Sequence, residues 1–388
     1  MSAAVPDGPR AATPRHGSID VLRTVAICLM IVVHFVENLS AAHDATSAAL
    51  SRQLPAGLAA PLFTFLAGVN YRLWSAARIA RGHAPAAVSR VTLRRGLFLL
   101  GTGFAFNALV WLPAETFNWD ILTFMGIALI VLDVARDMPA SATALAWGLV
   151  VAISPVLRVA AGYGDYWQQG WFDHDLTLSD VALGCLVVGY FPLLPWLALP
   201  LAGYLTAPLV FTAHRPGTAT GTTPSAPRPL AVAALLGGAA VAALAAWPRL
   251  PERLRSGATD GWTMFPASTA YVLGSTAAAL TALTLLHRVL DTGPPADWKR
   301  TLARWTGPFS RHSLSIYVLH HLVHVWPLWL AGLALGGDDA TVLWQTALPA
   351  WVALLLAGAC IAACLVLFAW IDRAGLPSLE RAMRWLCD

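Results

Sequence analysis

Charge is what this sequence has least of. Only 12% of its 388 residues are Asp, Glu, Lys or Arg, against roughly 25% in soluble globular chains. A water-soluble body of this size cannot cover its surface with so few charges, which excludes a soluble multidomain protein. Lysine is nearly missing: Lys299 is the only one. The five cysteines supply no disulfide framework, because Cys28, Cys185, Cys360 and Cys364 lie within apolar stretches and Cys387 lies beside the C-terminus. Cys360 and Cys364 share a helix face at i,i+4, the spacing of a packed pair of small apolar residues. No repeat of fixed period is visible, nor the half-to-half symmetry of inverted-repeat transporters. The net charge of +4 is too small to suggest nucleic acid as a partner.

What the chain does have is apolar length. Hydrophobic residues make up 57% and the mean hydropathy is +0.62. Ten long uncharged stretches follow: Thr24–Val36, Gln53–Tyr71, Gly96–Ala114, Ile121–Leu132, Met138–Leu157, Val181–Ala213, Pro229–Pro248, Gly261–Leu286, Ser313–Gly337 and Ala340–Ile371. The sixth is too long for one straight crossing and carries Pro192, Pro195, Pro200 and Pro208, which kink a helix or mark a partly re-entrant segment. His34 and Glu37 interrupt the first apolar run, so it reads as a retained span rather than a cleaved signal peptide.

With ten crossings and both termini inside, 20 of the 25 Lys and Arg residues fall on the inner side. Arg52, Arg158, Arg249, Arg253 and Arg255 fall outside. This bias fits the positive-inside rule. The expected fold class is therefore all-α, a polytopic integral membrane protein of about ten transmembrane helices with both termini cytoplasmic. Residues 1–14 form a disordered cytoplasmic tail, 15–375 the membrane domain and 376–388 a cytoplasmic C-terminal tail. Thr212–Arg228, rich in Thr, Pro, Gly and Ala, reads as a flexible inner loop. Abundant Ala and Arg with a single Lys point to a GC-rich bacterium, hence to the cytoplasmic (inner) membrane with lipid as a partner.

Ionisable groups within a span cost about 2.5–3.5 kcal/mol at the helix centre on insertion scales, so they are functional candidates. His34, Glu37 and Asn38 share one face of the first span at i,i+3 and i,i+4. His34 lies about 16 Å beyond Arg23 along the helix axis, past the midplane. A packed His bonded to a neighbouring helix is the structural alternative. Asp20 and Arg23 stand at i,i+3 at the inner mouth, where they can pair or simply be solvated. Arg72, Arg78, Arg81, Arg90, Arg94 and Arg95 follow from topology, and their guanidinium groups also suit phosphate oxygens.

The ninth span carries Tyr317, His320, His321 and His324, with His320 and His324 on one face. Two His at i,i+4 can bind metal, but a site needs a third ligand and an outer shell of hydrogen bonds. No HExxH motif or neighbouring carboxylate supplies one, so no metal is expected and a polar cavity or hydrogen-bonded core is the better reading. Between the fifth and sixth spans, Tyr163-Gly-Asp165-Tyr166-Trp167 and Trp171-Phe172-Asp173-His174-Asp175 mix aromatics with carboxylates. They suit an interfacial aromatic belt, or a polar acceptor site in which rings give flat contact area.

Several stretches together resemble a known family. They are Arg15-x-x-Ser18-Ile-Asp20-Val-Leu-Arg23 leading to Met30-Ile-Val-Val-His34, Ala60-Pro-Leu-Phe-Thr-Phe-Leu-Ala-Gly68, Arg95-Gly-Leu-Phe, Trp119-Asp-Ile-Leu-Thr-Phe-Met-Gly-Ile127, Tyr190-Phe-Pro-Leu-Leu-Pro-Trp196 and Ser313-Leu-Ser-Ile-Tyr317-Val-Leu-His320-His321. In this order they resemble the bacterial relatives of heparan-α-glucosaminide N-acetyltransferase, within the wider transmembrane acyltransferase superfamily.

The resemblance implies a ten-helix fold. Acetyl-CoA enters as co-substrate from the cytoplasm, and its acetyl group reaches an amino or hydroxyl group of a sugar or glycan on the far side. It implies a catalytic His34, as in the O-acetyltransferase branch, with His43 second because the lysosomal enzyme places its His in the following outer loop. Thr24 departs from the family, whose inner motif usually ends in Leu-Arg-Gly.

A His in a low-dielectric span can stay neutral and serve as base. Glu37 or Asn38 would orient the His34 ring, and Asp20, Arg23, Arg94, Arg95, Asn107, Tyr317 and His320 would line the cofactor and central cavity. A homodimer is compatible with this reading. The rival function is a transporter or exporter using intramembrane His and Glu as a proton relay.

Overall fold

A computed structural model describes residues 15–53, 55–111, 115–168, 171–172, 177–211, 227–252, 255, 261–335 and 345–388. The expected N-terminal tail, the acceptor candidates Asp173, His174 and Asp175, and the linker up to residue 226 lie outside the described residues.

Among the described residues the chain is all-α apart from a two-residue antiparallel pairing, β1 (Trp167–Gln168) with β2 (Trp171–Phe172), and an isolated bridge between Met264 and Ala267. The long helices are α1 (Gly17–Ser40), α3 (Ala59–Ala80), α4 (Pro85–Phe106), α5 (Ile121–Asp137), α6 (Ala140–Ala160), α10 (Ala198–Val210), α11 (Pro227–Ala246), α12 (Thr269–Leu286), α13 (Asp297–Arg311), α14 (Ser313–Leu335) and α15 (Ala350–Ala374). Short helices α2 (Ala45–Gln53), α7 (Tyr163–Tyr166), α8 (Leu178–Leu183), α9 (Leu193–Trp196) and α16 (Leu379–Cys387) complete the order.

Among the described residues, seven helical segments are long and apolar enough to cross a membrane: Gly17–Ser40, Ala140–Ala160, Leu178–Val210, Pro227–Arg249, Thr269–Asp291, Ser313–Ala334 and Ala350–Ala374. Helices α3, α4 and α5 add three more rods to the same bundle, though their apolar runs are less pure. The chain is thus a multi-pass membrane protein. The long segment Leu178–Val210 is broken, as its prolines foretold. A π turn (Gly184–Val188) ends at extended Gly189, and Leu194 is non-helical within α9 before α10 begins.

Ends are set by local chemistry. Pro85 opens α4 at its first turn. Asp120, Ser268 and Ser378 each cap a helix by accepting a backbone N–H with the side chain. Gly375, at φ +69°, lets α15 stop in the left-handed region.

Two glycine seams hold the bundle. On α3 and α10, a Cβ at Gly68 would sit 1.9 Å from the Pro200 carbonyl oxygen, and one at Gly203 would sit 2.0 Å from that of Phe65. On α4 and α5, Gly96 and Gly126 each face the other's carbonyl oxygen, at 2.8 and 2.6 Å from a built Cβ. Only residues without a side chain permit such backbone contact, the packing rule of membrane helices.

Helix α1 runs through the middle, against α3, α12, α13, α14 and α15. Ile27, Ile31, Phe35 and Val36 of α1 pack with Ile316 of α14 and Ala353, Ala357, Cys364 and Phe368 of α15. That packing turns the opposite polar face of α1 toward α14.

Candidate active site

Helix α14 is anchored at its first turn. The buried Glu380 of α16 accepts hydrogen bonds from the backbone N–H of Leu314 (2.7 Å) and Ser315 (2.9 Å) through Oε1, and from Ser315 Oγ (2.7 Å) through Oε2. A carboxylate at a helix N-terminus satisfies orphan donors and complements the dipole. The segment expected as a C-terminal tail therefore contains a docked helix.

One and two turns further along, α14 presents Tyr317, His320, His321 and His324, all buried. Each His directs Nδ1 at the backbone carbonyl four residues earlier: His320 to Ile316 at 3.0 Å, His321 to Tyr317 at 3.0 Å and His324 to His320 at 2.6 Å. A carbonyl oxygen can only accept, so Nδ1 carries the proton in each ring. In the neutral ring Nε2 is then a lone-pair acceptor, and no carboxylate in the cluster compensates several imidazolium charges.

The remaining tautomer follows. His34 Nδ1 lies 2.9 Å from His320 Nε2. Because that Nε2 accepts, His34 Nδ1 donates, which leaves His34 Nε2 as a lone pair. Asn38 Nδ2 donates to His324 Nε2 at 2.9 Å. The His34 ring lies 5.2 Å from that of His320, nearly parallel, and 4.6 Å from that of His321. Phe106 and Trp111 close the other side of His321, at 5.0 and 5.7 Å between ring centres. Both lie where α4 passes into a π turn (Asn107–Trp111), a widened turn common at functional sites.

A carboxylate stands behind the rings. Tyr317 Oη donates to Asp120 Oδ2 at 2.9 Å, and Asp120 Oδ1 accepts from Ile121 N at 2.6 Å to cap α5. Buried Asn107 holds this segment in place, donating through Nδ2 to the Asn118 carbonyl at 2.7 Å. Sequence reasoning named Asn107, Tyr317 and His320; the structure brings Tyr317 and His320 together with His34 and Asn38, and Asn107 holds the segment that leads to Asp120. It missed Asp120 as a site residue. The available signal was a carboxylate immediately ahead of an apolar helical run, the N-cap signature.

Other expected site residues lie elsewhere. Glu37 is exposed, one position round from the buried face, and makes no hydrogen bond to His34 among the described residues. Asn38 is bonded to His324 and not to His34. Exposed His43 lies beyond the end of α1, where Nδ1 donates to the Thr346 carbonyl at 2.7 Å. It is outside the cluster.

At the N-terminal end of α1 the chemistry is ionic. Arg15 Nε donates to Asp20 Oδ2 at 2.5 Å, and Asp20 Oδ1 accepts from Ser310 Oγ at 2.5 Å. Arg23 donates to the Ser310 carbonyl (3.0 Å) and Oγ (3.1 Å). Asp20 and Arg23 thus meet through Ser310 of α13 and form no direct pair among the described residues. Alongside, His287 Nδ1 lies 2.8 Å from Asp291 Oδ2, and Ser18 donates to Asp291 through both N and Oγ. Burial holds His16, just ahead of α1, toward its neutral form against the pull of Asp291. On α4, Arg94 is exposed. Arg95 and Arg78 both bond Asp388, at 2.6 and 3.0 Å, and both lie over the Trp74 ring.

The family model for the catalytic region of heparan-α-glucosaminide N-acetyltransferase matches residues 15–242, more than half of the chain. The chain belongs to this family. Membership makes it a transferase-type membrane protein of a family that acetylates glycans. The matched residues carry His34, Asn38, Asn107 and Asp120, while Tyr317 and the α14 histidines lie beyond them. No curated protein matches the chain significantly.

Proposed function

We propose that this protein crosses the bacterial inner membrane ten times with both termini cytoplasmic. It transfers an acetyl group from cytoplasmic acetyl-CoA to an amino or hydroxyl group of a sugar or glycan on the outer side, with His34 as general base. The observation that carries this reading is the lone pair at His34 Nε2, on a ring fixed from its other side by the Nδ1–H bond to His320. A base must present an unprotonated nitrogen in a fixed direction, and the bond to His320 supplies the fixing.

In the reaction, the acceptor nitrogen or oxygen attacks the thioester carbonyl carbon as its proton passes to His34 Nε2. The tetrahedral intermediate collapses with cleavage of the C–S bond. The proton on His34 then passes to the CoA thiolate, so the enzyme returns unchanged. The Nδ1–H bond to His320, extended through His320 Nδ1–H to the Ile316 carbonyl, steadies the imidazolium while it exists. Phe106 and Trp111 help to keep water from the thioester. Arg23, whose only described partners are the neutral groups of Ser310, and exposed Arg94 are open to the CoA phosphates. Arg95 would exchange Asp388 for a phosphate.

The deciding assay gives purified protein radiolabelled acetyl-CoA and an amino-sugar or glycan acceptor. Wild type should transfer the label, and His34→Gln should not while keeping its melting temperature. Transfer by His34→Gln at the wild-type rate would reject the base. The transporter alternative needs a His–Glu relay, and no hydrogen bond joins Glu37 to His34 among the described residues.

A further inference from the structure

Within its own helix, the α14 histidine pair has no third metal ligand. The fold supplies one from α1. One ring nitrogen from each of His34, His320 and His321 lies within 4.8 Å of the other two, and the His34–His320 pair is already at 2.9 Å. Tetrahedral zinc with Zn–N bonds of about 2.0–2.1 Å holds its nitrogens about 3.3–3.4 Å apart. Side-chain adjustments of about 1.5 Å or less would bring these three to that spacing.

The surroundings are those of a ligand set. A metal-bound His usually donates its other ring N–H to a carbonyl or carboxylate, which fixes ring and tautomer. His320 and His321 do this already, through the Ile316 and Tyr317 carbonyls. That leaves the Nε2 atom of each ring free to bind a metal, and His320 Nε2 already meets His34 Nδ1 at 2.9 Å. Tyr317, bonded to Asp120, lies with its ring centre 4.9 Å from that of His321, tilted by 55°, and forms the next layer.

We propose that His34, His320 and His321 form a binding site for a divalent transition metal, zinc in the first instance, with a fourth position open to water. Imidazole donors suit Zn²⁺, Cu²⁺ and Ni²⁺ and select against Mg²⁺ and Ca²⁺, which want oxygen. Coordination takes His34 at Nδ1, whose proton moves to Nε2 of the same ring. The nitrogen that would act as base then carries a proton, so zinc is an inhibitor of acetyl transfer. The binding claim stands on the geometry alone. Only the inhibition claim rests on the function proposed above.

The test measures zinc retained by the detergent-solubilised full chain after dialysis against buffered Zn²⁺, and the visible spectrum of Co²⁺ in its place. About one metal per chain is expected, with the intense absorption of four-coordinate Co²⁺. His321→Phe keeps the ring packing against Phe106 and Trp111, and His34→Gln removes the donor from the other helix. Each should weaken binding by more than about 100-fold, beyond the 10–100-fold that outer-layer changes cost.

His287→Phe, in the separate His16–His287–Asp291 group, should leave binding unchanged. No uptake by wild type, or uptake lost in His287→Phe and kept in His321→Phe, would overturn the site. Zinc should also inhibit acetyl transfer over the same concentration range as it binds. Binding without inhibition would overturn the shared nitrogen. A protein that binds zinc and transfers no acetyl group would reject the proposed function and leave the metal site standing.

Discussion

The two ends of α1 handle polarity in opposite ways. At the N-terminal end, Asp20 and Arg23 converge on Ser310, and Arg15 forms an ion pair with Asp20. About three turns on, His34 and Asn38 meet a row of histidines without one carboxylate among them, joined by neutral hydrogen bonds whose directions fix every tautomer. An ionic cluster near water tolerates loose geometry and holds anions. A neutral cluster in an apolar bundle works only if each donor meets an acceptor, because an unmet group there is costly. The first arrangement suits docking of a charged ligand, the second suits controlled movement of one proton.

The largest effect expected from breaking this contrast is at His34. His34→Gln should lower kcat by about 10²–10⁴-fold, the usual worth of a positioned base, with the melting temperature held, as seen in single-turnover transfer and thermal unfolding. Glu380→Gln comes next. It weakens the hydrogen bonds that start α14 and should cost about 1–3 kcal/mol of stability, read as a lower melting temperature together with reduced kcat.

Arg23→Ala tests the ionic end. It should raise KM for acetyl-CoA by about tenfold with kcat retained, an effect that added salt shrinks. Asn38→Ala removes the donor to His324 and should cost about 1 kcal/mol with only a few-fold change in kcat. Glu37→Gln is the smallest, within about 0.5 kcal/mol and without change in turnover. A large loss there would return Glu37 to the site.

Much of the frame was legible from composition and period. Uncharged runs foretold the helices, and of the four prolines in Leu178–Val210, Pro192 and Pro195 mark its break while Pro200 and Pro208 lie within α10. The i,i+4 spacing put His320 and His324 on one side of α14. Spacing ranks residues by angle around a single helix and stops there. It grouped Glu37 with His34 and Asn38, yet one position of rotation leaves Glu37 outside while Asn38 meets α14. It placed His43 near His34 along the chain, where the turn after α1 carries it to Thr346. It gave Asp120 no role, because Tyr317 lies nearly two hundred residues away.

By itself the sequence determined that this is a helical membrane protein with few ionisable groups inside, since hydropathy and charge act locally and need no partner. Family membership was equally legible from ordered motifs, and residues 15–242 bear it out. Which helix faces which was decided only by tertiary structure. Glycine seams at Gly68–Gly203 and Gly96–Gly126 let backbones touch, and apolar packing of α1 on α15 turned its polar face toward α14. The histidine cluster between α1 and α14 stands out against the low charge of the chain, and tertiary packing gave that cluster its third ring and its direction.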